Sequence, residues 1–140
     1  AIGGKGATSE GGNVRIFQNI GSSWYQLGQD IDGEAVGDQS GYSVSLSDDG
    51  ETIAIGAPEN DGEVYNSTNS CGHVRIFKWD GNLWNQLGQD IDGEYSHNFS
   101  GESVSINSDG SKVAIGAHEN DAGGNDAGHV RIYNISNPCP

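Results

Sequence analysis

The chain has little positive charge: six Lys and Arg stand against twenty Asp and Glu, giving a formal charge of −14. So acidic a surface repels polyanions at long range, which argues against DNA, RNA and anionic membrane as partners and favours cations or basic surfaces. Long apolar runs are also missing. None approaches the roughly 20 residues that span a bilayer, so membrane insertion is not expected; no secretory leader opens the chain, which reads as a mature or excised piece. Three prolines are outnumbered by 23 glycines, so its many tight turns rest on Gly, Asn and Asp. The two cysteines, Cys71 and Cys139, form neither a CxxC pair nor a His-rich metal pattern, and no zinc site is expected from them. Hydrophobic residues make up only 33% of the chain, but they fall in short ordered bursts. That points to thin β-structure and away from disorder.

What is present is a repeat. Residues 14–61 and 74–121 align without a gap over 48 positions, 29 of them identical. Both copies run from VRIF through a Trp, QLGQDIDGE, SG, SVS and a DG turn to AIGA and END. Pieces of a third copy flank them: Ala1-Ile2-Gly3-Gly4 matches AIGA at Ala54 and Ala114, and Gly128 to Tyr133 matches Gly72 to Phe77. The expected organisation is one repeat domain over 1–140, with a partial repeat 1–53, a full repeat 54–113 and a partial repeat 114–140. A stacking repeat buries its apolar face only against a neighbour, so end units without caps expose surface or strand edges.

Ser43 to Ser47 and Ser103 to Asn107 alternate polar with apolar, as half-buried strands do. Asp49-Gly50 and Asp109-Gly110 follow and supply the positive φ angles of a tight hairpin turn into Thr52–Gly56 and Lys112–Gly116. After a Gly/Asn/Asp-rich loop, Val74 to Phe77 turns at Asp80-Gly81 into Leu83 to Leu87, a second hairpin. Four antiparallel strands in about 60 residues, without helical periodicity, predict an all-β protein of four-stranded blade-like repeats, a propeller-like or β-solenoid array. With strands labelled a to d, the chain supplies b, c, d of one unit, all four of the next and a, b, c of a third. Ten strands are therefore expected. Fewer than three full blades fall short of the roughly four to eight of an ordinary propeller, so neighbouring repeats or copies are expected to complete the open edges.

Ser40-Gly41-Tyr42-Ser43-Val44, the DG turn, Ala54-Ile55-Gly56-Ala57-Pro58 and Gly72-His73-Val74-Arg75-Ile76-Phe77 together resemble the FG-GAP repeats of the integrin α-subunit propeller and related secreted proteins. The GAP element is intact once, becomes GAH at Gly116-Ala117-His118 and GGK at Gly3-Gly4-Lys5, and SG replaces the leading FG. The resemblance implies a β-propeller with a role in adhesion, ligand recognition or extracellular architecture. Many members of the family carry a DxDxDG calcium loop between the first two strands. Here that loop has shrunk to Ser47-Asp48-Asp49-Gly50 and Asn107-Ser108-Asp109-Gly110, so the family's calcium site does not carry over.

Calcium has another candidate site in Asp30, Asp32 and Glu34 and their copies Asp90, Asp92 and Glu94, which gather hard oxygen donors within five residues. The competing reading, a DG turn with solvated carboxylates, is the stronger of the two, and no cofactor is required. Glu59-Asn60-Asp61 and Glu119-Asn120-Asp121 also recur, and suit Asx-type loop bonding. Arg15, Arg75 and Arg131 share one repeat position and are expected to make a structural ion pair or fork hydrogen bond to a repeated carboxylate such as Asp30 or Asp90. Trp24 and Trp84 recur 60 residues apart as packing residues between units. Trp79 and Tyr95 do not recur, and such aromatics are candidates for exposure and for sugar stacking. His73 and His129 share a position held by Asn13 in the first unit, which suits a side-chain hydrogen bond at a strand start.

Sequons at Asn66, Asn98 and Asn134, with two cysteines able to pair, favour an extracellular, N-glycosylated protein. A Cys71–Cys139 disulfide would tie adjacent units and stabilise by about 3–5 kcal/mol in the chain-entropy model; a bridge to another copy would make the cysteines assembly links. No GxSxG, HExxH, P-loop or paired-carboxylate motif stands outside the repeat, so no enzymatic activity is expected. The expectation is a secreted, non-catalytic structural or adhesive module that assembles with neighbouring copies into a fibre or array through open strand edges. The alternative is a ligand-recognition segment of a larger integrin-like adhesion propeller, dependent on divalent cations.

Overall fold

The computed structural model describes residues 1–6, 11–61 and 70–135. The first unit holds β1 (Ile2–Gly4), β2 (Asn13–Arg15), β3 (Phe17–Ile20), β4 (Ser23–Gln26) and β5 (Ile31–Asp32). The second holds β6 (Ser43–Leu46), β7 (Thr52–Ala57), β8 (His73–Trp79), β9 (Trp84–Gln86) and β10 (Ile91–Asp92). The third holds β11 (Ser103–Ile106), β12 (Lys112–Ala117) and β13 (His129–Asn134), with a 3-10 turn at Asp121–Gly123 before its last strand. Strand d is broken in both units that have one, and strand c is broken in the first, so the segments fall on the ten expected strand positions. A backbone bond from Leu27 to the Ile16 carbonyl holds d to c across the break, and Leu87 to Ile76 repeats it.

Every ladder is antiparallel. In the second unit β6 pairs β7 with Ser43 opposite Gly56, β7 pairs β8 with Ile55 opposite Arg75, and β8 pairs β9 and β10. The third unit repeats this as β11-β12-β13, while the first forms β1-β2-β5 with the β3-β4 hairpin beside it. The DG turns close as their sequence requires: Ser47 Oγ donates to Asp49, whose carboxylate accepts the Glu51 N–H. Asn107 and Asp109 repeat the arrangement.

The alternation along β7 and β8 assigns each face a neighbour. Ile53, Ile55 and Phe77 pack with Val14, Ile16 and Ile31 of the first unit, joined by buried Trp84. Ala54, Val74 and Ile76, on the opposite face, pack with Val113 and Ile115 of the third. The core is therefore two layers between three units, and the middle unit contributes a face to each. Glycine permits the close approach: a Cβ on Gly56 would sit 2.0 Å from the Gly101 carbonyl of the next unit, and one on Gly3 equally close to Gly41. This is why AIG and SG recur together.

Strand a departs from a simple polar-out reading. Ser43 and Ser45 are half-buried, and Ser43 Oγ donates to the Gly101 carbonyl while Ser45 Oγ accepts the Ile106 N–H of the adjacent a strand. Small hydroxyls fit where a strands of neighbouring units crowd together, and they satisfy an edge N–H that would otherwise be unpaired.

Candidate binding site at the junction of two units

The DIDGE loop of the first unit meets the start of β8 in a cleft of about 660 Å³ lined by Glu34, Asn60, His73, Gln86, Asp90 and Asp92, among others. Backbone bonds from Gly33 to Gly12 and from Gly93 to Gly72 fold each DIDGE loop back onto its own strand c. A second anchor is Asp38, whose buried carboxylate accepts from Asn60 Nδ2 at 2.9 Å and from the Ala35 N–H at 3.0 Å. Asn60, in the END element, thus joins the second unit to the first.

His73 is 2% exposed. Its Nδ1 lies 3.9 Å from Glu34 Oε2 and 3.7 Å from Asp90 Oδ2, and one donor atom from each of the three residues falls within 4.8 Å of the others. Burial pushes the His73 pKa down; Asp90 and Glu34 oppose that shift and Arg75 adds to it. The imidazole is therefore held toward its neutral form, with a ring lone pair to offer. Arg75, 6% exposed, donates from Nη2 to the Asp32 carbonyl at 2.7 Å and holds Nη1 3.7 Å from Glu34 Oε1, while its guanidinium lies over the Phe77 ring.

At the junction of the second and third units Arg131 pairs closely with Glu94. The repeated arginine thus reaches back to the preceding unit, and its carboxylate partner is Glu34 or Glu94 and not Asp30 or Asp90. Those two aspartates accept from Gln26 and Gln86 of their own d strands instead, at 2.6 Å each. Arg15, in the first unit, is exposed.

The six carboxylates proposed for calcium do not gather as two sets of three. Glu34 turns to His73 and Arg75, Asp90 closes the cleft from the other side, and Asp32 offers its carbonyl to Arg75. The cluster takes one member from each DIDGE copy and adds His73, a histidine expected only to cap a strand. The signal in the sequence was the change from Asn13 to His73 at one repeat position.

Trp84 fills the first junction as a packing residue, 3% exposed with Nε1 donating to the Leu27 carbonyl at 2.9 Å. Trp24 is 69% exposed, because the face it shares with Ile2 has no unit packed on it. Trp79, expected to be exposed, is half-buried with its ring 5.4 Å from that of Trp84; Tyr95 is exposed.

Asn98 is one of the three expected glycosylation positions. It is 3% exposed, at the position where Asp38 holds the first junction, and Ser100 of its sequon is buried as well. The Asn98 amide nitrogen is buried without a hydrogen-bond partner. Asn134 is exposed on β13, with Oδ1 accepting from Lys112 Nζ, and Asn66 lies outside the described residues. Cys71 is buried and its thiol pKa is raised by that burial, while Cys139 lies outside the described residues.

Residues 31–77 match the family model described as FG-GAP repeat, a segment that runs from β5 into β8 and takes in Glu34, His73 and Arg75. The blade-like units agree with an FG-GAP-type repeat. No curated protein matches the chain.

Proposed function

We propose that this chain is a non-catalytic extracellular module with a structural or adhesive role, which works by packing like units against its two end faces. The observation that carries the reading is a break in burial between equivalent positions. Ile55 and Trp84 are 0% and 3% exposed, but Ile2 and Trp24, at the same positions of the first unit, are 63% and 69% exposed. Val74 and Ile76 are likewise buried, while Val130 and Ile132 of the third unit are 68% and 72% exposed. The two end faces are thus the two halves of a junction the chain makes twice within itself. Such a head-to-tail contact builds rings or open filaments, and the outer strands β1 and β13 lie beside it to extend the pairing. FG-GAP repeats are in general non-enzymatic and typically occur in extracellular proteins, which supports the setting. Among the described residues no helix is long and apolar enough to cross a membrane. Acidic charge outside the junctions would limit lateral clumping.

Sedimentation velocity with end-face variants tests this. The native chain should assemble with rising concentration, and Trp24→Lys and Ile132→Lys should each stop that growth. Mixing the two variants should give one-to-one dimers, because each keeps one intact face. A native chain that stays monomeric, or variants that assemble as it does, would reject the proposal. The alternative, a cation-dependent recognition segment of an adhesion propeller, is favoured by one feature, the carboxylate-lined cleft at the first junction.

A further inference from the structure

We infer that Glu34, His73 and Asp90 form a binding site for a borderline divalent transition ion of the zinc class, bridging the first and second units. The donor set is one imidazole nitrogen and two carboxylate oxygens, with the cleft open for a water or an external ligand at the remaining position. Three protein donors and one free position is the coordination zinc accepts when it is not fully enclosed. An imidazole donor favours such ions over Ca2+ and Mg2+, which take oxygen alone. The cysteine pattern could not reveal the site, because no thiol contributes to it.

Two observations support the inference besides the residue types. His73 is almost fully buried and its ring lines the cleft, yet Nδ1 stands at 3.7 and 3.9 Å from the carboxylates, beyond hydrogen-bond reach of either. That spacing suits three ligands around an ion better than a hydrogen-bonded histidine. The second observation is a departure from repeat symmetry. At the next junction Arg131 takes Glu94 in a close ion pair, but here Arg75 gives Nη2 to the Asp32 carbonyl and stays 3.7 Å from Glu34 Oε1, leaving Oε2 toward His73. Asp92 and Asp38 add negative charge nearby, which offsets Arg75. Because Glu34 belongs to one unit and His73 and Asp90 to the next, the ion would pin the junction.

The test is titration of the chelator-treated full chain with ZnCl2, followed by calorimetry and thermal unfolding. One ion should bind per chain and raise Tm by about 5 °C or more at a hundredfold excess over Kd. Glu34→Gln and Asp90→Asn should each weaken binding at least about tenfold and remove most of the Tm shift. Both side chains are partly exposed, so these variants should fold even if His73→Asn does not. Cys71→Ser and His118→Asn should bind as the native chain does. Absence of zinc binding, unchanged binding in Glu34→Gln and Asp90→Asn, loss only in His118→Asn or Cys71→Ser, or equal stabilisation by CaCl2 would each overturn the assignment.

Discussion

The side-chain amide of Gln29 pairs with both backbone groups of Trp84, 55 positions along the chain: Nε2 donates to the Trp84 carbonyl at 2.8 Å, and the Trp84 N–H donates to Oε1 at 3.1 Å. A glutamine thus reproduces one rung of a β-ladder between units that share no backbone ladder there. Gln29→Ala leaves both groups to find water at a partly buried position and should cost about 1 kcal/mol. Gln89→Ala, its repeat equivalent, lies exposed beside the cleft and should stay within about 0.5 kcal/mol. Urea unfolding of the two variants checks the asymmetry; equal losses would refute the role given to Gln29.

The same asymmetry should be larger for the tryptophans. Trp84→Ala removes a buried indole and its bond to Leu27, a loss of about 3–5 kcal/mol. Trp24→Ala, on the exposed end face, should change the stability of the monomer by no more than about 0.5 kcal/mol. Thermal unfolding at a concentration too low for assembly separates the two.

Gly56 and Gly116 share a repeat position but not a constraint. A Cβ on Gly56 meets the Gly101 backbone carbonyl of the next unit at 2.0 Å, so Gly56→Ala forces the units apart and should cost about 3 kcal/mol or more. At Gly116 the obstacle is Ser103 Oγ at 2.3 Å, a side chain able to rotate. Gly116→Ala should therefore be the milder change, as chemical denaturation of both will reveal.

The turn aspartates set an acid limit. Hydrogen bonds from Ser47 and the Glu51 N–H hold the Asp49 carboxyl below its usual value near 3.8, and those from the Ser111 side chain and N–H do the same for Asp109. In each case the unfolded chain binds the proton more tightly than the folded one. Their stabilisation is therefore fully present above about pH 3.8 and is lost as pH falls through the lower folded values. Carboxyl titration by NMR should find both below the exposed aspartates, and Asp49→Asn should flatten the acid limb of the stability profile.

Much of this fold was legible because it is stated more than once. Alternation in SVSLS, the Asp-Gly turns and the 60-residue spacing fix strands a to d, and a single copy would have been far less secure. Packing partners were harder to read. Trp24 and Trp84 share one repeat position, each two residues before QLGQDIDGE, and the presence of a unit against one of them separates a buried side chain from an exposed one. The site was least legible: Glu34 and Asp90 come from different positions of two DIDGE copies, and only the junction brings them to His73. Repetition made each carboxylate look like its copy, which concealed the departure from symmetry.

Asn98 offers the sharpest conflict between motif and structure. Asn98-Phe99-Ser100 satisfies the sequon rule, yet Asn98 is 3% exposed and Phe99 lies at φ 50°. The transferase needs the amide in an accessible, extended segment, whereas this one is folded between DIDGE and strand a. Modification before folding would leave a glycan where Asp38 sits in the first unit, in a small cleft shared with Ile115 and Ala117, so a chain carrying it should not close its second junction. Secretion from a glycosylating host followed by glycopeptide mapping should find folded protein unmodified at Asn98. Glycan on Asn98 of protein that unfolds with native cooperativity would show that this loop opens far more readily than its burial implies. Asn98→Asp, which restores the Asp38 chemistry, should instead let Asn120 Nδ2, buried without a partner, bond as Asn60 does. It should raise stability by about 1 kcal/mol.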